Sequence, residues 1–385
     1  MPRSPSGQPP PVNFWSLVFL IGAAQAALLA LALWRRPVNV QANRVLAAWI
    51  AVIGFDLAVK AAYFHGSSIE LLKLYRFVGL FPFLYGSAFY LYVRTLTQGR
   101  APGLRDGVHL LGFVAALAVN AQWFLMDRTQ TQAFLADLAA GGYWPGAPWL
   151  DIGLFGYSLS YVVAGLVRVR RYRRELLQRR SDADRMSLHW IDAMAASQIV
   201  IWCIAVTQWQ LRIPWIDYPL IYGAVVAWVF VVGYLSLSQV AVAVQAPAAS
   251  EPAAEIPAVD DPRFAEVEVR LTQLMERDHL FSEPALTIGQ LAKRSGYPEY
   301  LVSAVINRRF AGNFWDYINR QRIEAARACL ADAGDARTIL DIAYACGFTS
   351  KSTFNAAFKR QLAVTPSAYR QAQSSTVADA DADTR

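Results

Sequence analysis

The sequence predicts an all-α protein in which a seven-helix transmembrane bundle is followed by a cytoplasmic all-helical domain with two helix-turn-helix units. Three observations predict this class. The 385 residues are 55% hydrophobic and 17% charged, with a mean hydropathy of +0.26, whereas about a quarter of the residues in soluble domains are charged. Apolar segments of about 20 residues, long enough to cross a bilayer, recur up to residue 237. The remainder shows amphipathic helical spacing interrupted by glycine turns.

Seven apolar segments have the length and composition of membrane-spanning helices. A further segment at 130–140 is too polar to span and is predicted to be a short amphipathic or interfacial helix. Because the first apolar segment is longer than the core of a secretory signal and is followed by Arg35 and Arg36, we expect it to be retained as a span. Residues 12–240 are therefore the predicted membrane domain, with spans at 14–34, 45–64, 72–96, 108–126, 149–169, 188–211 and 218–237.

Arginine placement predicts how these spans are oriented. Loops one and three each contain three arginines, and loop five contains eight between positions 168 and 185, whereas the even-numbered loops contain few basic residues. Because loops rich in Lys and Arg stay in the cytoplasm, the N-terminus is predicted to lie outside. Everything after residue 237 is predicted to lie in the cytoplasm. We expect the loop-five arginines to set this topology and to contact lipid phosphates.

Four ionisable side chains in or near the spans form a candidate intramembrane signal site. Asp56 and Lys60 are four residues apart, which places them on one face of the second span, where they can pair. Asp151 and Asp192 lie near span ends. An ionisable group at membrane depth is expected to have a function. The alternative, which stays open, is that the pair only stabilises packing and that the two aspartates reach water.

The sequence predicts no metal site, no cofactor and no catalytic residues. Cys203, Cys329 and Cys346 are too few and too far apart for a disulfide framework or a zinc site, and we expect three buried thiols. The chain contains no phosphate-binding glycine loop, no histidine-kinase segment and no nucleophile with a base at a recognisable spacing. We therefore expect a protein that is not an enzyme.

Residues 263–373 are predicted to form a separate domain, between an Ala/Pro-rich linker at 241–262 and a disordered acidic tail at 374–385. Apolar residues recur in its first helix at three- and four-residue spacing, at Phe264, Val267, Leu271 and Leu274. Such a stripe fits either a dimerising coil or packing within the domain. Because two heptads are short for a coiled coil, we favour packing.

Two helix-turn-helix units follow, each marked by a capping residue and a glycine turn. Thr287 caps the first unit, and Gly296 forms its turn, where glycine adopts the left-handed conformation without a steric penalty. Thr338 and Gly347 have the same roles in the second unit, and Ser350 caps its second helix. The predicted helices after the first turn are 299–310, 314–331, 339–345 and 351–361.

The predicted domain is basic. Twelve Lys and Arg residues against six Asp and Glu residues between positions 285 and 373 leave a net charge of +6, which favours contacts with nucleic-acid phosphates. The helix N-termini capped by Thr338 and Ser350 also present backbone N–H groups, to which phosphates bind readily.

The segment at 347–370, GFTSKSTFNAAFKRQLAVTPSAYR, resembles the DNA-binding domain of the AraC/XylS family of transcriptional regulators. The segment at 301–327, LVSAVINRRFAGNFWDYINRQRIEAAR, is similar to the variant carried by family members with multi-span membrane N-termini. The resemblance covers roughly residues 271–370, about a quarter of the chain. It implies two reader helices, joined by a long helix, that lie in successive major-groove turns on one face of the duplex.

Carried over by position, the resemblance implies that Tyr300, Ser303 and Ala304 face base edges from the first reader helix, although Tyr300 also fits packing beneath that helix. From the second reader helix, it implies that Lys351, Ser352, Thr353 and Ala356 do so. Ala304 and Ala356 stand where many members have a long polar side chain. Because alanine contacts only a thymine methyl, we expect readout to depend on Lys351, Ser352 and Tyr300. Ala363 replaces a glycine that is usual at that helix end. The full predicted DNA-binding set is Tyr300, Ser303, Ala304, Arg308, Arg309, Thr338, Ser350, Lys351, Ser352, Thr353, Asn355, Ala356, Lys359 and Arg360.

Together, the spans and the resemblance predict a membrane-anchored one-component transcriptional regulator in the bacterial cytoplasmic membrane. Its expected partners are double-stranded promoter DNA, RNA polymerase, the lipid bilayer, an unidentified ligand or membrane signal and, if the first helix of the domain dimerises, a second copy of the chain. Two alternatives stay open. A membrane transporter or receptor would use the helix-turn-helix domain to bind a protein. A multi-span membrane enzyme would need charged residues clustered at one depth across several spans.

Overall fold

The computed structural model describes residues 13–66, 68–139, 147–183, 188–211, 218–237, 261–332 and 334–373. Within these ranges the regular elements are all helices, as predicted. The chain divides into two compact units, Met1–Val169 with Leu188–Ala246, and Arg170–Ser187 with Pro247–Arg385. The predicted linker at 241–262 lies almost entirely outside the described residues, and the predicted tail at 374–385 lies wholly outside them.

The first unit contains the apolar helices. They are α1 (Phe14–Arg35), α2 (Val40–His65), α3 (Ile69–Val78), α4 (Pro82–Gln98), α5 (Leu111–Leu125), α6 (Arg128–Ala139), α7 (Ala147–Arg179), α8 (His189–Leu211) and α9 (Tyr218–Leu237). Helix α6 is the short helix predicted at 130–140. Six segments are long and apolar enough to cross a membrane, and they coincide with six of the seven predicted spans. They are Phe14–Arg35, Val40–His65, Leu104–Leu125, Trp149–Arg179, His189–Gln208 and Pro219–Ser236. The third of these consists of a 3-10 helix at Leu104–Leu110 and α5.

The third predicted span, 72–96, is not one helix, and the prediction of an uninterrupted span here was wrong. Helix α3 ends at Val78, and α4 begins at Pro82, which occupies its first turn. Proline has no backbone N–H, and its ring clashes with the carbonyl four residues earlier, so a regular helix does not continue through it. The first turn of a new helix tolerates proline. Helix α4 is therefore a separate helix of 17 residues.

Small residues let the apolar helices approach one another closely. Gly86 in α4 lies against the backbone of Ser158 in α7, where an added Cβ would be 2.8 Å from the Ser158 carbonyl oxygen. Gly22 in α1 lies against Val226 in α9, with 2.5 Å between an added Cβ and a methyl carbon. Because small residues allow close van der Waals contact between helices, these positions help to fix which helices are neighbours.

The second unit contains α10 (Arg263–Glu276), α11 (Ile288–Ser295), α12 (Glu299–Arg309), α13 (Phe314–Ala331), α14 (Ile339–Ala345) and α15 (Lys351–Leu362). The predicted bounds of α12 to α15 are confirmed to within one residue. One apolar core joins α10, α11, α12 and the start of α13. A second core joins the end of α13 to α14 and α15. Helix α13 therefore links two small cores, one for each helix-turn-helix unit.

Helix α10 packs within its own domain. Its apolar stripe, which includes Phe264, Val267 and Leu271, is fully buried in the first core. The favoured prediction of packing is confirmed, and the stripe is not left exposed for a dimerising coil.

The arginine-rich segment after residue 169 belongs to the second unit, although it was predicted to be a loop of the membrane domain. Helix α7 continues through it to Arg179 and has 33 residues in all. A short non-helical segment at 180–183 follows, and it contacts residues of the second unit that are described below.

Candidate nucleic-acid interface

Reciprocal side-chain caps begin the first helix of each helix-turn-helix unit. The Thr287 hydroxyl accepts a hydrogen bond from the Gln290 backbone N–H at 3.3 Å, and the Gln290 side chain accepts one from the Thr287 N–H at 2.8 Å. Thr338 and Asp341 form the same pair of bonds, at 3.1 and 3.2 Å. These bonds satisfy backbone N–H groups that have no partner in the first turn of a helix. The predicted caps are confirmed.

Both turns contain a glycine with a left-handed backbone. The φ angle is +82° at Gly296 and +87° at Gly347. An added Cβ at Gly296 would meet no atom within 4 Å, whereas at Gly347 it would lie 2.7 Å from the carbonyl oxygens of Phe281 and Ser282. Gly347 therefore serves two purposes, because it turns the chain and also lets the second unit contact the 281–282 backbone.

Helix α15 presents one polar face to solvent and one apolar face to the second core. Phe354, Ala357 and Phe358 are buried in that core. Residues three and four apart share a helix face, so the residues between the buried positions form a second, exposed face. The structure brings six predicted DNA-binding residues together on it: Lys351, Ser352, Asn355, Ala356, Lys359 and Arg360.

Thr353 is placed differently from its neighbours on α15. Its side chain is 8% exposed, and its hydroxyl accepts a hydrogen bond from the Ser350 hydroxyl at 2.9 Å. Ser350 in turn accepts a bond from the Thr353 backbone N–H at 3.2 Å. Thr353 thus belongs to the N-terminal cap of α15, and this placement does not fit the base-edge contact that the resemblance implied.

Helix α12 is more deeply embedded than α15. Tyr300 and Ala304 are partly buried and pack against the first core, and Ser303 is half-buried. Tyr300 therefore packs against the core, as the alternative interpretation predicted, and remains partly exposed. Arg308 and Arg309 are exposed at the C-terminal end of the helix.

Asn307 lies on the exposed side of α12 and was not among the predicted residues. Its amide nitrogen lies 3.4 Å from the Ser303 hydroxyl, to which it donates. Asn307 is four residues after Ser303, so it extends the same helix face by one turn. That spacing was readable in the sequence. An asparagine amide can also bond adenine bidentately, which makes Asn307 a candidate for base readout.

Aromatic rings hold two of the basic side chains near this surface. The Arg360 guanidinium lies 4.1 Å from the centroid of the Trp315 ring, and that of Arg308 lies 5.4 Å from the Phe264 ring. Cation–π contacts of this kind restrict a long side chain without neutralising its charge. Arg360, whose side chain is exposed, therefore keeps its positive charge beside the Trp315 ring.

Arg322 is not available to phosphates, although it contributes to the positive charge of the domain. It is 1% exposed. Its guanidinium donates to the Phe281 carbonyl at 2.8 Å, the Glu283 carbonyl at 2.9 Å and the Ser181 hydroxyl at 3.1 Å. Burial lowers the pKa of Arg322 to about 10, so it stays charged at neutral pH. It anchors α13 to the 281–283 segment and to Ser181.

The segment at 180–183 packs on this domain inside the second unit. Arg180 pairs with Thr287 in an isolated antiparallel bridge. The Ser181 backbone N–H donates to the Leu286 carbonyl at 3.0 Å, and Asn319 donates to the Ser181 carbonyl at 3.5 Å. Ser181 is fully buried. No local pattern in the sequence indicates this contact, because it joins residues more than 100 positions apart.

Two of the four candidate signal residues in the first unit lie together. Lys60 forms a buried ion pair with Asp56, which also accepts a hydrogen bond from the Tyr85 hydroxyl at 2.9 Å. The expected pairing is confirmed. Asp151 lines a cavity, and the carboxylate of Asp192 lies 3.7 Å from an imidazole nitrogen of His189.

The cysteines differ from the expectation of three buried thiols. Cys346 is buried, Cys329 is half-buried and Cys203 is exposed. Burial raises the pKa of the Cys346 thiol to about 11, so it is protonated at neutral pH. Among the described residues, no group of three or more His, Cys, Asp or Glu side chains is placed to hold a metal ion.

Two helix-turn-helix units, each with a basic second helix and joined by one long helix, define a two-motif DNA-binding domain. Residues 280–372 match the family described as "Helix-turn-helix domain". The chain belongs to the AraC/XylS family of transcriptional regulators through this domain, as the sequence resemblance implied.

Curated relatives match the same domain. Regulatory protein SoxS of Escherichia coli (strain K12) is 35% identical over 85 residues, which are 22% of this chain and 78% of that protein. Regulatory protein SoxS of Salmonella typhimurium is 33% identical over 85 residues, with the same coverage. No solved structure shows significant similarity to the chain.

Proposed function

We propose that the chain is a membrane-anchored one-component transcriptional regulator. It binds promoter DNA through two helix-turn-helix motifs and senses a signal through its membrane helices. The observation that carries this proposal is the presence in one chain of an AraC/XylS DNA-binding domain and six apolar helices of membrane-spanning length. Its partners are double-stranded promoter DNA, RNA polymerase and the bilayer.

The exposed face of α15 supports sequence-specific binding. Lys351 and Ser352 lie in the first turn of the helix, which is the part that reaches base edges in a major groove. Lys359 and Arg360 lie at the other end, where they suit phosphate contacts. On α12 the corresponding surface consists of Ser303, Asn307 and the exposed edge of Tyr300.

A cytoplasmic location of this domain follows from the arginine distribution, provided that α3 and α4 together make one crossing. At about 1.5 Å per residue, the 17 residues of α4 span about 26 Å, close to the roughly 30 Å of hydrocarbon. With this crossing the chain passes the membrane seven times and the N-terminus lies outside. Without it the two ends would lie on the same side.

DNA binding by the full chain in lipid nanodiscs tests the proposal, with duplexes from the flanking genomic region and a salt titration. We expect the affinity to fall steeply with salt, because phosphate contacts release counterions. Lys351→Ala should weaken specific binding by about 1–3 kcal/mol. Arg277→Ala is the matched control, because Arg277 is an exposed basic residue at the end of α10, outside the predicted set. A folded chain without salt-sensitive DNA binding would favour a transporter or receptor whose domain binds a protein.

A further inference from the structure

A cavity of about 200 Å³ lies among α2, α4, α7, α8 and α9 in the first unit. Three tryptophans and two tyrosines contribute to its walls: Trp49, Trp202, Trp228, Tyr85 and Tyr222. The Trp49 and Trp228 rings are tilted against each other, with 5.0 Å between their centroids. The cavity therefore lies among the proposed membrane helices and has several aromatic rings in its walls.

Four polar atoms of the cavity lining have no hydrogen-bond partner among the described residues. Two are donors, the indole nitrogens of Trp49 and Trp228, and two are acceptors, the amide oxygens of Gln198 and Gln208. Trp49, Trp228 and Gln198 are more than nine-tenths buried. Buried polar groups normally find partners, and within a membrane water does not supply them. Two donors and two acceptors at one cavity therefore indicate a ligand with complementary groups.

The same cavity adjoins the intramembrane ion pair. Tyr85 lines the cavity, and its hydroxyl donates a hydrogen bond to the Asp56 carboxylate. Tyr222 also lines it, and the Lys60 ammonium lies 3.9 Å from the centroid of the Tyr222 ring. A ligand that displaces either ring changes the surroundings of a buried charge. Binding of a ligand in the cavity would therefore change the surroundings of the ion pair through Tyr85 and Tyr222.

We propose that this cavity binds a small, uncharged molecule with one aromatic ring that carries both a hydrogen-bond donor and an acceptor. A cavity of about 150 Å³ accommodates benzene, so the volume here suits one ring with one or two substituents. Asp151, the one acidic residue of the described lining, already takes part in an interaction within the protein. An anionic ligand would lose its hydration without gaining an opposite charge, because the described lining contains no basic residue.

This inference deepens the proposed function, because it names the class of ligand that the membrane helices sense. Ligand binding is nevertheless measured without DNA. The full chain in lipid nanodiscs is titrated with 4-fluorobenzamide and 4-fluorophenol, followed by fluorine NMR. Empty nanodiscs report partition into lipid, 4-fluorotoluene lacks the hydrogen-bonding groups, and 4-fluorobenzoate carries a charge.

Two variants remove the site in different ways. Ala205→Trp fills the cavity from α8, and Gln198→Leu removes an acceptor at similar volume. Ala196→Trp is the matched control, because Ala196 is exposed on the same helix and does not line the cavity. We expect saturable binding of at least one of the two probes to the wild type and to Ala196→Trp. We expect binding to be weaker by about tenfold or more in Ala205→Trp and Gln198→Leu, and no saturable binding of benzoate.

The same nanodiscs are tested for DNA binding, which separates the two proposals. If neither probe binds saturably beyond empty nanodiscs, or if Ala205→Trp binds as the wild type does, the ligand site is refuted even when DNA binding is intact. If the probes bind saturably and DNA does not, the regulator is refuted and the ligand site stands.

Discussion

The guanidinium of Arg322 donates a hydrogen bond to the hydroxyl of Ser181, which precedes it by 141 residues. Arg322 lies on α13, the helix that joins the two helix-turn-helix units, and Ser181 follows the last turn of α7. The bond therefore attaches the segment that follows α7 to the helix that joins the two helix-turn-helix units.

This attachment predicts a specific cross-link. Residues paired across an antiparallel bridge have Cα atoms about 4.5–5.5 Å apart, within the range that a disulfide needs. Arg180→Cys with Thr287→Cys, in a chain whose native cysteines are replaced, should form an intramolecular disulfide under mild oxidation, detected as a mobility shift. The control pair is Arg174→Cys with Thr287→Cys, since Arg174 lies six residues earlier on α7. Equal cross-linking of both pairs, or of neither, would argue against the docked segment.

The two turn glycines should differ in their tolerance of alanine. Gly296→Ala should lower the free energy of unfolding by about 1 kcal/mol, because it introduces only a left-handed alanine. Gly347→Ala should lower it by about 2–4 kcal/mol, because its Cβ would also meet two carbonyl oxygens. Urea unfolding of residues 261–373 measures both. Equal losses would mean that the 281–282 backbone does not lie against Gly347.

The predicted third span, which the structure divides into α3 and α4, allows a test of the topology. Gly66 precedes α3 and Gly103 follows α4, and an added Cβ at either would meet no atom within 4 Å. Single cysteines at the two positions should label differently with a membrane-impermeant maleimide on intact cells. We expect Gly66→Cys to be labelled and Gly103→Cys to be protected until the cells are lysed. Identical labelling would show that α3 and α4 do not cross the bilayer together.

Substitutions of the ion pair in α2 test its role in packing. Asp56→Leu leaves Lys60 buried without its partner, and such a change typically costs about 3–5 kcal/mol. The double variant Asp56→Leu/Lys60→Met should recover the stability, because an apolar pair of similar volume replaces the ion pair. The readout is the fraction of folded protein after heating in detergent. Tolerance of Asp56→Leu alone would contradict the burial of the pair.

The helix-turn-helix units were predictable because their determinants are local. Thr287, Thr338 and Ser350 cap the helices that follow them, and Gly296 and Gly347 end the helices before them, so the sequence contains both boundaries of each turn. The break at Pro82 was also visible in the sequence. It was missed because the hydropathy of 72–96 stays high through the proline, whereas helix continuity depends on backbone geometry.

Other features depend on contacts between distant residues. The cavity brings together Trp49, Gln198 and Trp228, which belong to three helices, and no single helix shows the pattern. The docking of Ser181 similarly depends on where α13 lies. Asn307 is an intermediate case, since its helical spacing from Ser303 was readable but the resemblance did not include it.

The most direct test of the account is whether the chain occupies specific DNA while it is embedded in the membrane. Cells that produce the full-length chain are cross-linked, their membranes are washed, and the DNA isolated with the chain is sequenced. Wild type, Lys351→Ala and the control Arg277→Ala are compared at equal abundance in the membrane. We predict discrete enriched regions for the wild type and Arg277→Ala, and their loss in Lys351→Ala. A uniform background with the wild type, or enrichment that Lys351→Ala leaves unchanged, would contradict the account.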